Sequence, residues 1–413
     1  MGGYIVEGGN TLSCEVIISG AKNSVLPILA AAAMQRETTV KNIPFLSDVS
    51  NTLGILKKLG IIIKAENNTI NTLGSLSTTV IDRELSSKMR SSVLFMGALL
   101  GKYGEVTVYR PGGCQLGERP IDLHLWAMKN LGAEIAEKGE SIVLKGRLKG
   151  CEINLPIVSV GVTENIILAA ANAKGTTIIR NSAREPEIDD LIAYLNKCGS
   201  RIRREKNTIV VEESGVSMCA EHSVVPDRIE TATYCAMAAA TGGELHIKNC
   251  NPEHLSIILS VLEKTGCIIK KEKDTIYIAA PKKLYSVNKI VTRPYPYFPT
   301  DVQPQIMAVL AKAEGSCVIN ETLFSARNKH ISELNKMGAD IEMTDNQNFI
   351  VTGVKSLKGA DVEARDLRGG AALVIAALGA EGVSRIDGAC HIERGYEAIC
   401  AKVEMIGGRI EKV

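Results

Sequence analysis

A single cysteine between two arginines is the stretch of this sequence with the clearest chemical potential. Residues 110–120 read RPGGCQLGERP, with Cys114 between Arg110 and Arg119. Three glycines and two prolines exclude a regular helix or a central strand, so we predict a shaped loop. Nearby cations favour the thiolate, which lets a cysteine act as an acid, a base or a nucleophile. The alternative is a small apolar side chain packed under the loop.

Charged residues also recur where apolar helices are predicted to begin. A cation at a helix N-terminus lies at the unfavourable end of the helix dipole, so its recurrence indicates an anionic ligand such as a phosphate or a carboxylate. For Asp227, Asp301 and Asp366 the alternative is ordinary N-capping. The segments are Lys22-Asn23, Lys88-Met89-Arg90, Asp227-Arg228, Thr300-Asp301 and Asp366-Leu367-Arg368.

The helices that follow these charges are rich in Ala and Leu. They are apolar over most of their circumference, which predicts burial inside layers of strands. The six predicted buried helices are residues 23–34, 91–100, 163–173, 230–240, 301–313 and 370–380.

Each of these six helices is followed along the chain by a second helix. The second helix is predicted to end at a glycine, because a left-handed C-cap favours that residue. The six glycines lie 67 to 72 residues apart and are Gly60, Gly132, Gly199, Gly266, Gly338 and Gly407. The spacing predicts an α/β fold of six βαβαββ-type repeats with buried helices.

The six repeats are predicted to form two domains, because single cores rarely exceed about 250–300 residues. The sixth repeat stops at Val413 without a closing strand, whereas residues 4–7 and 14–19 offer unpaired strand material. We therefore predict one domain at residues 20–226 and a second at 1–19 with 227–413, completed by the N-terminal segment.

Composition excludes several classes of protein. A net charge of +2 without long basic runs argues against nucleic-acid binding, and no apolar run is long enough to span a membrane. Eleven cysteines without a CxxC pair or zinc-type spacing predict neither a disulfide framework nor a metal site. With no secretory signal visible, we expect a cytoplasmic protein.

Nine motifs, taken together and in order, resemble the enolpyruvyl transferase family, in particular its UDP-N-acetylglucosamine branch. They are 20–23 (GAKN), 89–90 (MR), 111–124 (PGGCxxGxRPxDxH), 159–161 (SVG), 183–187 (AREPE), 226–230 (PDRIE), 298–301 (FPTD), 366–368 (DLR) and 394–397 (RGYE). The resemblance implies a two-domain inside-out α/β barrel with its substrates in the cleft between the domains, and neither cofactor nor metal. It also implies transfer of the enolpyruvyl group of phosphoenolpyruvate to the 3-hydroxyl of UDP-N-acetylglucosamine, with phosphate release, in peptidoglycan precursor synthesis.

The same resemblance implies roles for individual residues. Cys114 would be the general acid at the methylene carbon, and Asp301 the base near the sugar hydroxyl. Phosphoenolpyruvate would be held by Lys22, Arg119 and Arg394, with Arg90 and Arg368 nearby. The nucleotide sugar would contact Asn23, Arg119, Pro120, Ile121, Asp122, Leu123, His124, Ser159, Val160, Asp301 and Leu323, with Arg327 against the cleft. Ile157 departs from the family, since some relatives have a lysine there that reaches the diphosphate.

Two other functions stay open from the sequence. The related 3-phosphoshikimate enolpyruvyl transferases share the fold and the donor, but they lack the cysteine loop. A non-catalytic anion-binding repeat scaffold would make Cys114 and Asp301 incidental. Phosphate release from phosphoenolpyruvate in the presence of UDP-N-acetylglucosamine distinguishes the transferase from the scaffold.

Overall fold

The structure is a computed structural model that describes residues 2–110, 121–216 and 218–413. Its strands are β1 Gly3–Glu7, β2 Glu15–Ile17, β3 Glu37–Lys41, β4 Ile62–Glu66, β5 Thr69–Leu73, β6 Glu105–Tyr109, β7 Glu134–Lys138, β8 Ser141–Lys145, β9 Glu152–Asn154, β10 Thr177–Arg180, β11 Arg201–Glu205, β12 Thr208–Glu212, β13 Ala220–Ser223, β14 Glu244–Lys248, β15 Ile268–Lys271, β16 Thr275–Ala279, β17 Lys289–Val291, β18 Ser316–Asn320, β19 Asp340–Met343, β20 Asn348–Thr352, β21 Asp361–Glu363, β22 Val383–Asp387 and β23 Arg409–Lys412.

The α-helices are α1 Lys22–Ala32, α2 Ser47–Lys58, α3 Arg83–Lys88, α4 Leu94–Tyr103, α5 Asp122–Asn130, α6 Val160–Ala170, α7 Pro186–Lys197, α8 Arg228–Thr241, α9 Ser256–Lys264, α10 Gln303–Leu310, α11 Ile331–Lys336, α12 Leu367–Leu378, α13 Ala389–Ile392 and α14 Ile399–Met405. Short 3-10 helices cover Arg90–Val93, Pro252–Leu255 and Thr300–Val302. Within the described residues, no helix is long and apolar enough to cross a membrane.

The chain divides into two compact units, and each is built from three repeats. One unit comprises residues 20–110 and 121–225, and the other comprises residues 2–19 with Pro226–Val413. The repeat predicted from the six glycines is confirmed, because all six adopt positive φ angles between 88° and 104° immediately after an outer helix. A residue with a Cβ would be strained in that conformation.

The unit that contains Lys22 surrounds three buried helices, α1, α4 and α6, with three small sheets. Their strand orders are β13-β3-β5-β4, β6-β8-β7 and β9-β10-β12-β11. Helix α4 packs closely on α6, since a Cβ at Gly97 would lie 2.2 Å from the Asn165 carbonyl oxygen. The helices are inside and the sheets outside, as the fold class requires.

The unit that contains Asp301 has the same plan around α8, α10 and α12. Its sheets have the orders β2-β14-β16-β15, β17-β18-β20-β19 and β21-β22-β1-β23. Strand β1 lies between β22 and β23 and is antiparallel to both, so the start of the chain occupies the centre of the last sheet.

Lys312 connects the C-terminal ends of the three buried helices in this unit. It follows α10, and its Nζ donates hydrogen bonds to the carbonyl oxygens of Ala240 at 3.0 Å and Gly379 at 2.5 Å, at the ends of α8 and α12. Carbonyl groups at helix C-termini lack partners within the helix and attract cations. The N-terminal ends of α10 and α12 also lie close together, because Arg368 at the start of α12 is 3.4 Å from Asp301 in the turn before α10.

Candidate active site

Asp301 forms ion pairs with two arginines from different segments of its unit. Its Oδ1 lies 2.9 Å from a terminal nitrogen of Arg327, and its Oδ2 lies 3.4 Å from one of Arg368. The arginine side chains are buried, with exposed fractions of 2% and 6%, whereas 29% of the Asp301 side chain is exposed. The two guanidinium groups fix the position of the carboxylate, and its exposed fraction leaves room for a ligand.

The capping interpretation is correct for two of the three aspartates and wrong for Asp301. Asp227 accepts hydrogen bonds from the amides of Ile229 and Glu230 at the start of α8, and Asp366 caps α12 in the same way. The 3-10 helix Thr300–Val302 has no side-chain cap, and Asp301 lies within it. Its carboxylate is therefore committed to Arg327 and Arg368.

Arg368 also takes part in a buried hydrogen-bond network around the Tyr396 hydroxyl. The Tyr396 hydroxyl accepts a hydrogen bond from Arg368 Nη1 at 3.4 Å and from Gln305 Nε2 at 3.2 Å, and it lies 2.9 Å from the Thr233 hydroxyl. Gln305 Nε2 also donates to the Asp301 carbonyl oxygen at 2.9 Å. Burial by itself lowers the pKa of Arg368, but Asp301 and Tyr396 reverse the effect and raise that pKa above its ordinary value.

Arg327 lies near an aromatic ring as well as Asp301. Its guanidinium carbon is 5.1 Å from the centre of the Phe324 ring, and Leu323 beside it is 38% exposed. The pKa of the neighbouring His330 is lowered to about 4, mainly by burial. The charge of Arg327 lowers this pKa further and the charge of Asp366 raises it, so the imidazole is neutral near pH 7. Arg394, the remaining predicted residue of this unit, is half-buried in the turn after α13.

In the other unit, Lys22 and Asn23 are the first residues of α1, as the sequence indicated. Lys22 Nζ lies 2.7 Å from Asp48 Oδ2, and only 10% and 5% of the two side chains is exposed. Asn23 is half-buried beside it. Sequence analysis did not identify Asp48, which lies in the first turn of α2.

Asp190 is a second carboxylate that sequence reasoning missed, and it fixes the first turn of α1. Its Oδ2 accepts hydrogen bonds from the Ser24 hydroxyl and, at 3.2 Å, from the Val225 amide. Its Oδ1 lies 2.8 Å from His222 Nε2. Lys22 and Asn23 thus project from a turn anchored by buried hydrogen bonds.

His124 lies on the first turn of α5 and is buried against α6. Its Nδ1 is 2.9 Å from the amide nitrogen of Asn165, whose own oxygen accepts from the Gly97 amide at 2.7 Å. An amide nitrogen only donates, so His124 Nδ1 accepts and Nε2 carries the proton of the neutral ring. Ser159 caps α6 by accepting from the Val162 amide at 3.4 Å.

Three glutamates lie buried where α6 and α7 begin. Glu185 and Glu187 flank the first residue of α7, and Glu164 is in α6. Burial raises the pKa of Glu164 well above its ordinary value, and the charges of Glu187 and Glu185 raise it further. Sequence reasoning missed Glu164.

The remaining predicted site residues have varied surroundings. Cys114, Arg119 and Pro120 lie outside the described residues. Arg90 begins a 3-10 helix and is half-buried, as are Leu123 and Val160, while Ile121 is buried and Asp122 exposed. Ile157, the departure from the family, is 64% exposed. Among the residues that the structure describes, no group of three or more His, Cys, Asp or Glu is placed to hold a metal ion.

The ion pair of Lys22 allows its structural and binding roles to be separated. Lys22→Met removes the ammonium from the buried Asp48 carboxylate, and breaking such a pair costs about 3–5 kcal/mol. The double variant Lys22→Met/Asp48→Leu should regain most of that free energy of unfolding but still fail to bind phosphoenolpyruvate. Denaturant unfolding and calorimetric titration with phosphoenolpyruvate measure the two quantities. Normal binding by the double variant would leave Lys22 with a structural role alone.

Comparison with known proteins defines the class. The sequence model of the family described as EPSP synthase (3-phosphoshikimate 1-carboxyvinyltransferase) matches residues 6–403. Among solved structures, the enolpyruvyl transferase NikO from Streptomyces tendae has a TM-score of 0.90 at 22% identity, covering 100% of this chain and 99% of its own. An EPSP synthase from Acinetobacter baumannii has a TM-score of 0.78 at 19% identity, covering 100% of both chains. At these identities the structures support the fold alone.

Sequence relatives give a narrower assignment. The protein named UDP-N-acetylglucosamine 1-carboxyvinyltransferase 2 of Caldanaerobacter subterraneus subsp. tengcongensis is 45% identical over 100% of both chains. A protein of the same enzyme name from Trichlorobacter lovleyi is 44% identical, covering 99% of this chain and 98% of its own. The chain therefore belongs to the enolpyruvyl transferase family, and within it to the UDP-N-acetylglucosamine 1-carboxyvinyltransferases.

Proposed function

We propose that this enzyme transfers the enolpyruvyl group of phosphoenolpyruvate to the 3-hydroxyl of UDP-N-acetylglucosamine and releases phosphate. The observation that carries the proposal is the 42–45% identity, over at least 99% of this chain, to relatives that bear that enzyme name. The reaction would be the first committed step of peptidoglycan precursor synthesis. We also propose that the enzyme acts in the cytoplasm, without a cofactor, a metal, nucleic acid or a membrane.

The mechanism that we propose is addition followed by elimination. Cys114 delivers a proton to the methylene carbon of phosphoenolpyruvate, while Asp301 removes the proton from the sugar 3-hydroxyl as its oxygen attacks the adjacent carbon. Phosphate then leaves, and the Cys114 thiolate takes back a proton from the new methyl group, which restores the double bond. The partly exposed Asp301 carboxylate, which Arg327 and Arg368 hold in place, supports the role of base.

Five cations have a proposed role in binding phosphoenolpyruvate. We propose that its phosphate and carboxylate are bound by Lys22, Arg90, Arg119, Arg368 and Arg394. We also propose that the units are the two domains predicted from the sequence, residues 20–226 and residues 1–19 with 227–413. The nucleotide sugar would contact Asn23, Ile121, Asp122, Leu123, His124, Ser159, Val160, Leu323 and Pro120.

Phosphate release tests the reaction directly. Purified protein should release phosphate from phosphoenolpyruvate only when UDP-N-acetylglucosamine is also present, and mass spectrometry should detect the enolpyruvyl sugar nucleotide. Shikimate 3-phosphate in place of the sugar nucleotide is the matched acceptor control. Comparable release with shikimate 3-phosphate would support the related synthase activity, and no release with either acceptor would support a binding scaffold.

A further inference from the structure

Glu321 is a fully buried carboxylate to which neither the sequence nor the proposed chemistry assigns a role. It follows β18 and has an exposed fraction of 0%. Its Oε2 accepts a hydrogen bond from the Thr300 hydroxyl at 2.8 Å, and its Oε1 accepts from the amides of Leu323 and Phe324 at 2.9 and 3.1 Å. Burying a carboxylate costs free energy that hydrogen bonds only partly offset, so stability alone gives little reason for an acid here.

These hydrogen bonds reach both members of the Asp301–Arg327 ion pair. Through Thr300, Glu321 holds the 3-10 turn whose next residue is Asp301. Through the Phe324 amide, it holds the residue whose ring lies 5.1 Å from the guanidinium carbon of Arg327. Asp301 and Arg327 are themselves in contact at 2.9 Å. The Glu321 carboxylate therefore fixes the backbone segment next to each member of this ion pair.

The same carboxylate also shapes the turn that displays Leu323. With its amide bonded to Glu321, the Leu323 side chain remains 38% exposed. The preceding Thr322 is fixed independently, because its amide donates to the Thr292 hydroxyl at 2.9 Å and its hydroxyl donates to the Thr292 carbonyl oxygen at 2.6 Å. The turn is therefore held at both ends. Thr292 holds its start at Thr322, and the Glu321 carboxylate holds the part nearer to Arg327.

We infer that Glu321 is a positioning residue for the nucleotide-sugar site: it sets the relative placement of Asp301, Arg327 and Leu323 without contacting the substrate. This inference rests on the proposed function for its kinetic consequence. Misplacing a reacting group by about 1 Å can lower the rate about 100-fold, so fixing such a group gives the buried carboxylate a function.

Two substitutions of Glu321 distinguish positioning from bulk packing. Glu321→Ala removes all three hydrogen bonds, and we expect kcat/KM for UDP-N-acetylglucosamine to fall by about 10- to 100-fold, with KM for phosphoenolpyruvate nearly unchanged. Glu321→Gln keeps an oxygen for the two amides and a nitrogen that can donate to the Thr300 hydroxyl. The Gln variant should therefore retain most of the wild-type kcat/KM for UDP-N-acetylglucosamine. Thr300→Val should reproduce part of the defect, whereas Thr300→Ser, which keeps the hydroxyl, should not.

Glu333 provides the matched control in the same unit. Its side chain is 1% exposed, and its Oε2 accepts from the Glu363 amide at 3.0 Å and from Lys336 at 2.7 Å, contacts that reach neither Asp301 nor Leu323. Glu333→Ala should lower the thermal unfolding temperature while leaving kcat/KM for UDP-N-acetylglucosamine unchanged. An equal fall in kcat/KM in Glu333→Ala would overturn the inference, because general loss of stability would then explain both variants.

Hydrogen exchange tests the positioning without any turnover. The amides of Leu323 and Phe324 should be protected in the wild type and in Glu321→Gln, and should exchange at least tenfold faster in Glu321→Ala. Unchanged exchange and kinetics in Glu321→Ala would refute the inference. If the wild type releases no phosphate with UDP-N-acetylglucosamine, the proposed function fails, but the exchange result still decides whether Glu321 fixes this turn.

Discussion

Asp301→Asn is expected to lower turnover by about 10²–10⁴, the usual contribution of a general base, in a protein that still folds. The amide keeps the shape of the carboxylate, and its oxygen still accepts a hydrogen bond from Arg327 or Arg368. It cannot take a proton from the sugar hydroxyl near neutral pH. Steady-state kinetics should therefore show a fall in kcat much larger than any change in KM for phosphoenolpyruvate.

Asp366→Asn is the control for loss of a negative charge in the same unit. Asp366 caps α12 through the amides of Arg368 and Gly369, and asparagine caps helices about as well as aspartate. Turnover of this variant should stay within a few-fold of the wild type. If Asp301→Asn retained near-normal turnover, the base would have to be another group, and the pairing of Asp301 with Arg327 and Arg368 would be structural.

Cys114→Ser is expected to lower turnover by a similar factor of about 10²–10⁴, because a serine hydroxyl gives up its proton far less readily than a thiol. Cys114→Asp changes the charge and shape but keeps a group that can carry a proton in a partly desolvated site with anionic substrates. We therefore expect the Asp variant to retain much more activity than the Ser variant. Full turnover by Cys114→Ser would eliminate the general-acid role.

Labelling with a small anionic epoxide such as fosfomycin tests the reactivity of the same thiol among eleven cysteines. Burial raises the pKa of Cys198 to about 11 and those of Cys250 and Cys317 to about 12, so these thiols should react slowly near pH 7. The exposed competitors in the described part of the chain are Cys14, Cys219 and Cys390. Mass spectrometry should find Cys114 modified first, and faster labelling of an exposed competitor would contradict the assignment.

The repeat architecture could be predicted because its signals are local. A glycine at a helix C-cap answers a steric requirement of that residue alone, and all six predicted glycines adopt the left-handed conformation. The starts of the buried helices were less accurate. The second buried helix was predicted to start at residue 91, but a 3-10 turn begins at Arg90 and α4 starts only at Leu94. The fifth was predicted to start at residue 301, but its α-helical part is Gln303–Leu310.

For the candidate site, the sequence identified residue types and their order along the chain but not their partners. Asp227, Asp301 and Asp366 occupy equivalent positions before buried helices, and position alone favoured capping for all three. Only the fold distinguishes Asp301, because Arg327 and Arg368 approach it from segments 26 and 67 residues further along the chain.

By itself, the sequence determined the repeat, the buried helices and the family. Helix periodicity, glycine caps and long motifs each depend only on residues that are close together along the chain. The tertiary structure alone decided which charges meet: Asp48 beside Lys22, Asp190 beneath the first turn of α1, and Glu321 under the Asp301–Arg327 pair. The physical reason is that an ion pair or a buried hydrogen bond depends on distances of about 3 Å. Packing of sheets around the helices sets those distances, and spacing along the chain does not.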